Sequence, residues 1–132
     1  MPITKLQKGN YILLLMLLIS TVALFSCGKN KYPGCKIVLP ANGQTFIAPE
    51  VITVTAEMYD DGDALTSQYL FVIDQNGSND TVVNVRQNDF LFNKYVLTRS
   101  FTSKPNTAYK VVAYARGGHG NSKTDSILIK AN

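Results

Sequence analysis

The chain of 132 residues has no tryptophan, one histidine and two cysteines. Each scarcity removes a class of chemistry. A zinc site draws on several Cys and His ligands at close spacing. Here His119 stands alone, and Cys27 and Cys35 form no Cys-x-x-Cys pair. Without tryptophan the chain lacks the largest aromatic platform for stacking on a sugar ring. There is no Gly-x-Ser-x-Gly elbow, no phosphate-binding glycine loop and no Asp/Glu pair with a recognisable partner. The chain therefore reads as a non-enzyme that needs no cofactor. Positive charge is also missing where a nucleic-acid domain would concentrate it. The formal charge is +4. Yet Lys5, Lys8, Lys29, Lys31 and Lys36 all precede Ile37, and from Ile37 onward eight Lys and Arg face nine Asp and Glu. No nucleic-acid partner is expected.

What is present begins with a leader. Lys5 and Lys8 precede an apolar run from Tyr11 to Phe25. That order of basic and apolar regions, ahead of a cleavage site, is a secretory signal. The run is shorter than the roughly 20 residues of a spanning helix. Leu24-Phe25-Ser26-Cys27 closes it, with an aliphatic residue at −3, a small one at −1 and Cys at +1. This tetrapeptide resembles a bacterial lipobox. The resemblance implies a helical signal peptide over 1–26, a diacylglycerol thioether on Cys27 with a further chain such as palmitate on its freed amine, and a mature chain beginning at Cys27. Each buried CH₂ contributes about 0.8 kcal/mol, so two or three acyl chains hold a protein firmly to a bilayer. A thioether on Cys27 would leave Cys35 single, as a residue of the tether or of a strand edge, or as a thiol that pairs between molecules. Residues 27–35, with Pro33 and Gly34 as breakers, read as the tether.

Residues 36–132 read as one domain built of short β-type runs between turn clusters. Lys36–Leu39 is the first strand, and Thr45–Ile47 continues it along the sheet edge. In Val51–Met58, Ile52, Val54, Ala56 and Met58 alternate with polar residues, so one face is buried. Gln68–Asp74 is apolar through Tyr69 to Ile73, which marks a covered or central strand of unreadable register. Thr81–Arg86 and Tyr95–Phe101 follow. In Ala108–Arg116 the inward face is Tyr109, Val111, Ala113 and Ala115, because the other choice would bury Lys110 and Arg116 unpaired. Thr124–Lys130 ends the domain with Ile127 and Ile129 inward. No helical period appears outside the leader.

About seven antiparallel strands in this length suit an all-β, immunoglobulin-like sandwich. Leu39-Pro40-Ala41-Asn42-Gly43, the alternating strand after it, and the Asp60-Asp61-Gly62-Asp63 loop resemble bacterial immunoglobulin-like and fibronectin-like extracellular modules. So does the strand from Ala108 with its following Gly/Asn loop. Tyr109 stands where such domains place a tyrosine corner, whose hydroxyl ties a turn to its strand. Together with the lipobox, the chain is similar to small immunoglobulin-like lipoproteins common in Bacteroidetes.

Four features carry candidate sites. Asp60, Asp61 and Asp63 supply carboxylates within one tight loop, suited to calcium or to a solvated turn. His119 lies at a glycine-rich hairpin tip and Tyr114 faces outward on the strand before it, so both are candidates for recognition. Asp80-Thr81-Val82 and Asp125-Ser126-Ile127 resemble the Asp-Ser/Thr-aliphatic pattern of Bacteroidetes O-glycosylation, which implies glycans on Thr81 and Ser126. Cys27 is the lipidation site. The expected function is a lipid-anchored cell-envelope module, on the outer membrane of a Gram-negative bacterium, that binds or assembles without catalysis. Its partners are the bilayer through Cys27 and an envelope protein or glycan. The alternative is an accessory glycan-binding lipoprotein of a polysaccharide-uptake system.

Overall fold

Alternation of apolar and polar residues builds two β-sheets that bury their inner faces against each other. The computed structural model describes residues 32–77 and 79–132, which lie in one compact unit, Lys31–Asn132. The expected signal peptide and Cys27 lie outside the described residues. Among the described residues there are eight strands: β1 (Gly34–Leu39), β2 (Thr45–Phe46), β3 (Val51–Tyr59), β4 (Leu65–Asp74), β5 (Thr81–Gln87), β6 (Lys94–Thr102), β7 (Thr107–Gly117) and β8 (Ser122–Ala131). One sheet has the order β1-β3-β6 and the other β2-β8-β7-β4-β5. The fold is the all-β, immunoglobulin-like sandwich, with eight strands rather than seven. No helix among the described residues is long and apolar enough to cross a membrane.

Two expectations need correction. Thr45–Phe46 does not extend β1 along its sheet. It crosses to the other sheet and pairs in parallel with β8, Thr45 opposite Lys130 and Phe46 opposite Ala131. The turn at Asn42–Gly43 redirects the chain, Gly43 at φ 79°. Gly43 N–H donates to the Leu128 carbonyl at 2.7 Å, so the chain is already on the second sheet. The second correction is the domain boundary. β1 begins at Gly34, and Cys35 packs in the core rather than in a tether.

The core draws on both sheets. Ile37, Ile52, Val54, Ala56, Met58 and Leu97 face Leu65, Leu70, Val72, Tyr109, Val111 and Ile129. The inward face read for β7 is the observed one: Tyr109, Val111, Ala113 and Ala115 are buried, and Lys110 and Arg116 are exposed. Val112 is only half exposed, because β4 sets Phe71 directly opposite it. Ile129 is buried, while Ile127 is half-buried against the core. Tyr109 forms the tyrosine corner: Lys104 N–H donates to its hydroxyl at 2.8 Å. Its ring meets Phe101 edge-on at 4.9 Å.

Candidate functional site

Strand direction gathers three loops at one end of the sandwich: 60–64 after β3, 88–93 after β5, and 118–121 after β7. They are tied to one another. Asp60 N–H donates to the Asn93 carbonyl at 2.8 Å, and Leu65 N–H to the Phe92 carbonyl at 3.0 Å. His119 Nε2 lies 2.7 Å from Asp63 Oδ2. Gly117 leaves room for the Asp60 carboxylate, which a Cβ there would displace. Thr66 Oγ1 donates to the Arg116 carbonyl at 3.2 Å.

These ties engage two of the three carboxylates of the acidic cluster. Asp60 is buried and accepts from Gly62 N–H at 3.0 Å, an Asx-type turn. Asp63 is engaged by His119, and Asp61 is exposed. The three carboxylates do not converge on one point. Among the described residues no group of three His, Cys, Asp or Glu side chains is placed to hold a metal ion.

Beside the loops a groove of about 380 Å³ is lined by Thr66, Ser67, Asn88, Phe90, Arg116 and glycines of the 117–120 turn. It leads to the outer face of the five-stranded sheet through Asn88, whose Oδ1 accepts from the Tyr69 hydroxyl at 3.4 Å. Register then builds a cross-strand row. Tyr69 lies opposite Tyr114 on β7 and Arg86 on β5. The two tyrosine rings stack at 5.2 Å and 17°. The Arg86 guanidinium carbon sits 5.5 Å from the Tyr69 ring centre and 5.3 Å from that of Phe71. Such cation–π contacts favour a fixed arginine. The outer face of the other sheet is different, with hydroxyl pairs Thr53–Ser100 at 2.9 Å and Thr55–Thr98 at 3.1 Å.

The sequence candidates are therefore split. His119 is exposed on the loop end, whereas Tyr114 belongs to the aromatic row on the sheet face. Thr81 is exposed at the start of edge strand β5. Ser126 is exposed in β8, opposite Val112. Neighbouring Asp125 is partly occupied, accepting from Ile37 N–H at 2.8 Å and so joining the two sheets. Cys27 lies outside the described residues. Burial pushes the Cys35 thiol up from an ordinary 9.0 to about 11. It stays protonated and is a poor nucleophile.

Sequence reasoning missed three elements. Tyr69, Phe71 and Arg86 form the platform, but the unbroken apolar run of β4 hid which of its residues face out. Gln68 is fully buried on β4, with no hydrogen-bond partner for either amide atom. Phe90, Leu91 and Phe92 are 69%, 75% and 60% exposed. Their apolar character signals a core, and nothing local marks them as a surface loop.

No protein-family model and no curated protein matches the chain. Solved structures do. One, from Clostridium thermocellum CbhA fibronectin(III)-like modules, aligns with a TM-score of 0.50 at 13% identity, over 76% of this chain and 48% of that one. The chain thus spans about half the length of that neighbour. Another, the superoxide reductase (neelaredoxin) of Ignicoccus hospitalis, aligns with a TM-score of 0.50 at 11% identity, over 81% of this chain and 86% of that one. At such identities the likeness is one of fold.

Proposed function

We propose that this chain is a lipid-anchored cell-envelope module that binds a partner without catalysing a reaction. Cys27 carries the acyl chains, and the host is a Gram-negative bacterium with the domain on its outer membrane. One observation carries the binding role: the groove lined by Asn88, Phe90 and Arg116 continues onto the Tyr69–Tyr114 stack, where Arg86 lies over the Tyr69 ring. A rigid aromatic surface edged by hydrogen-bonding groups gives contact area at low entropic cost. The test is site-specific photocrosslinking in cells, with a crosslinking amino acid at Tyr114 or at Ile47 on the far end. A discrete adduct at Tyr114 alone supports the reading, and equal or absent adducts oppose it. Labelled palmitate should enter the protein and be lost in Cys27→Ala.

The same stack favours a second reading, an accessory glycan-binding lipoprotein of a polysaccharide-uptake system. Pyranose rings pack on tyrosine faces while Asn88, Asn84 and Arg86 border the row. A glycan array decides it. Binding that disappears in Tyr69→Ala and Tyr114→Ala supports sugar recognition, and an array without binding removes it.

A further inference from the structure

The exposed Phe90-Leu91-Phe92 loop has an unusual combination of properties. Its backbone is held: Phe92 N–H donates to the Tyr95 hydroxyl at 3.2 Å and the Phe92 carbonyl accepts from Leu65 N–H at 3.0 Å. Its three large apolar side chains nonetheless face water. Contiguous apolar surface of this kind marks a contact with a partner or a membrane.

The position of the loop in the fold decides between them. Gly34, the first residue of β1, pairs with Tyr59 at the end of β3, and Tyr59 pairs with Lys94, which directly follows the 88–93 loop. The chain therefore enters the domain at the same end that carries Phe90, Leu91 and Phe92. Only residues 28–33 lie between Cys27 and β1. Fully extended, that segment reaches at most about 25 Å. The sandwich is longer: the nine residues of β3 alone run about 30 Å at the usual rise per residue. A tether that short cannot turn the domain over and set its far end on the bilayer that holds Cys27.

We propose that Phe90, Leu91 and Phe92 insert into the membrane surface as a second, non-covalent anchor. They orient the domain with its loop end down and the Tyr69–Tyr114 row to the side. Exposed Tyr32 and Tyr59 lie at the same end and suit the headgroup layer, where tyrosine is enriched. Lys29, Lys31 and Lys94 provide positive charge toward anionic lipid. Asp60, Asp61, Asp63 and Asp89 set four carboxylates at the same end, Asp60 buried and Asp63 beside His119, so the apolar side chains and not net charge carry the insertion. The proposal rests on lipidation of Cys27.

The absence of tryptophan provides the test. Full-length Leu91→Trp and Ile47→Trp each carry a single tryptophan. Ile47 is 82% exposed at the opposite end, near Asn132. Each lipidated protein is reconstituted into vesicles of phosphatidylcholine and phosphatidylglycerol, with or without lipids brominated on the acyl chains. Mass spectrometry of the N-terminal peptide reads the acyl chains on Cys27 in the same samples. The expected result is a blue-shifted Leu91→Trp emission that loses most of its intensity to brominated lipid, and an Ile47→Trp emission that does neither. With Cys27 acylated, unquenched Leu91→Trp emission overturns the insertion but leaves the anchor standing. Equal quenching of both overturns the orientation. An unacylated Cys27 removes the anchor and the proposal with it.

Discussion

The two ends of the sandwich solve opposite problems. At the far end, polar side chains lock the backbone. Tyr109 receives Lys104 N–H, Ser103 Oγ receives Glu50 N–H at 3.0 Å, and buried Asp74 receives Asn76 N–H at 2.8 Å. At the loop end some polar groups do the same, notably Asp60, but the most prominent side chains are Phe90, Leu91 and Phe92, which stay mostly in water although the Phe92 ring meets Tyr95 edge-on at 5.9 Å. Side chains that satisfy buried backbone groups support stability, because an orphaned donor or acceptor is costly. Apolar side chains kept in water have no such role, and at Phe90, Leu91 and Phe92 they are the basis of the proposed membrane contact.

Measurements of stability can break this contrast. The largest effect belongs to the far end. Tyr109→Ala should cost about 3–5 kcal/mol, since a fully buried ring is lost, and Tyr109→Phe about 1–2 kcal/mol for the orphaned Lys104 N–H. Denaturant midpoints measure both, and a near-neutral Tyr109→Phe would mean that the corner is ornamental. Next comes Cys35, beside the loop end. Folding favours its protonated thiol, so that stabilisation is complete below the unfolded value of 9.0 and is lost as pH rises through about 11. The loss should approach about 3 kcal/mol. In a Cys27→Ala background, comparison with Cys35→Ala across that range isolates it. A native thiol that labels rapidly at neutral pH would contradict the burial.

A smaller effect tests a tight point of the loop end. Gly117→Ala should cost about 1–2 kcal/mol, as overpacking does, because its methyl group meets the Asp60 carboxylate. Calorimetry reads the shift in Tm, and an unchanged Tm would show that the loops give way freely. The smallest effect is at Leu91. Leu91→Ser should change stability by less than about 0.5 kcal/mol, like other surface substitutions. A large loss in chemical denaturation would make the loop part of the fold and end the contrast between the two ends.

Much of the fold was legible in short patterns. The alternation Ile52, Val54, Ala56, Met58 named its own buried face, and charge chose the face of β7 through Lys110 and Arg116. β4 was not legible, because Tyr69 to Ile73 is apolar on both sides. Its outward residues escaped water only by covering one another, Tyr69 with Tyr114 and Phe71 with Val112 and Arg86. The candidate site suffered for the same reason. Tyr114 was visible as an outward residue, but its partners lie on other strands.

Sequence by itself determined the all-β class, the inward residues of the cleanly alternating strands, the near-neutral charge of the domain, and the position of Cys27 a few residues ahead of β1. These are local properties, written in a period of two and in the order of basic, apolar and small residues. Only the tertiary structure decided that β2 changes sheets, that Asp63 meets His119, that Asp60 needs Gly117, and that Phe90, Leu91 and Phe92 stand exposed where the chain enters. A strand's alternation states which side is buried and not which strand lies beside it. Pairing is settled by the packing of residues far apart in the chain, and with it the identity of the loops that share an end.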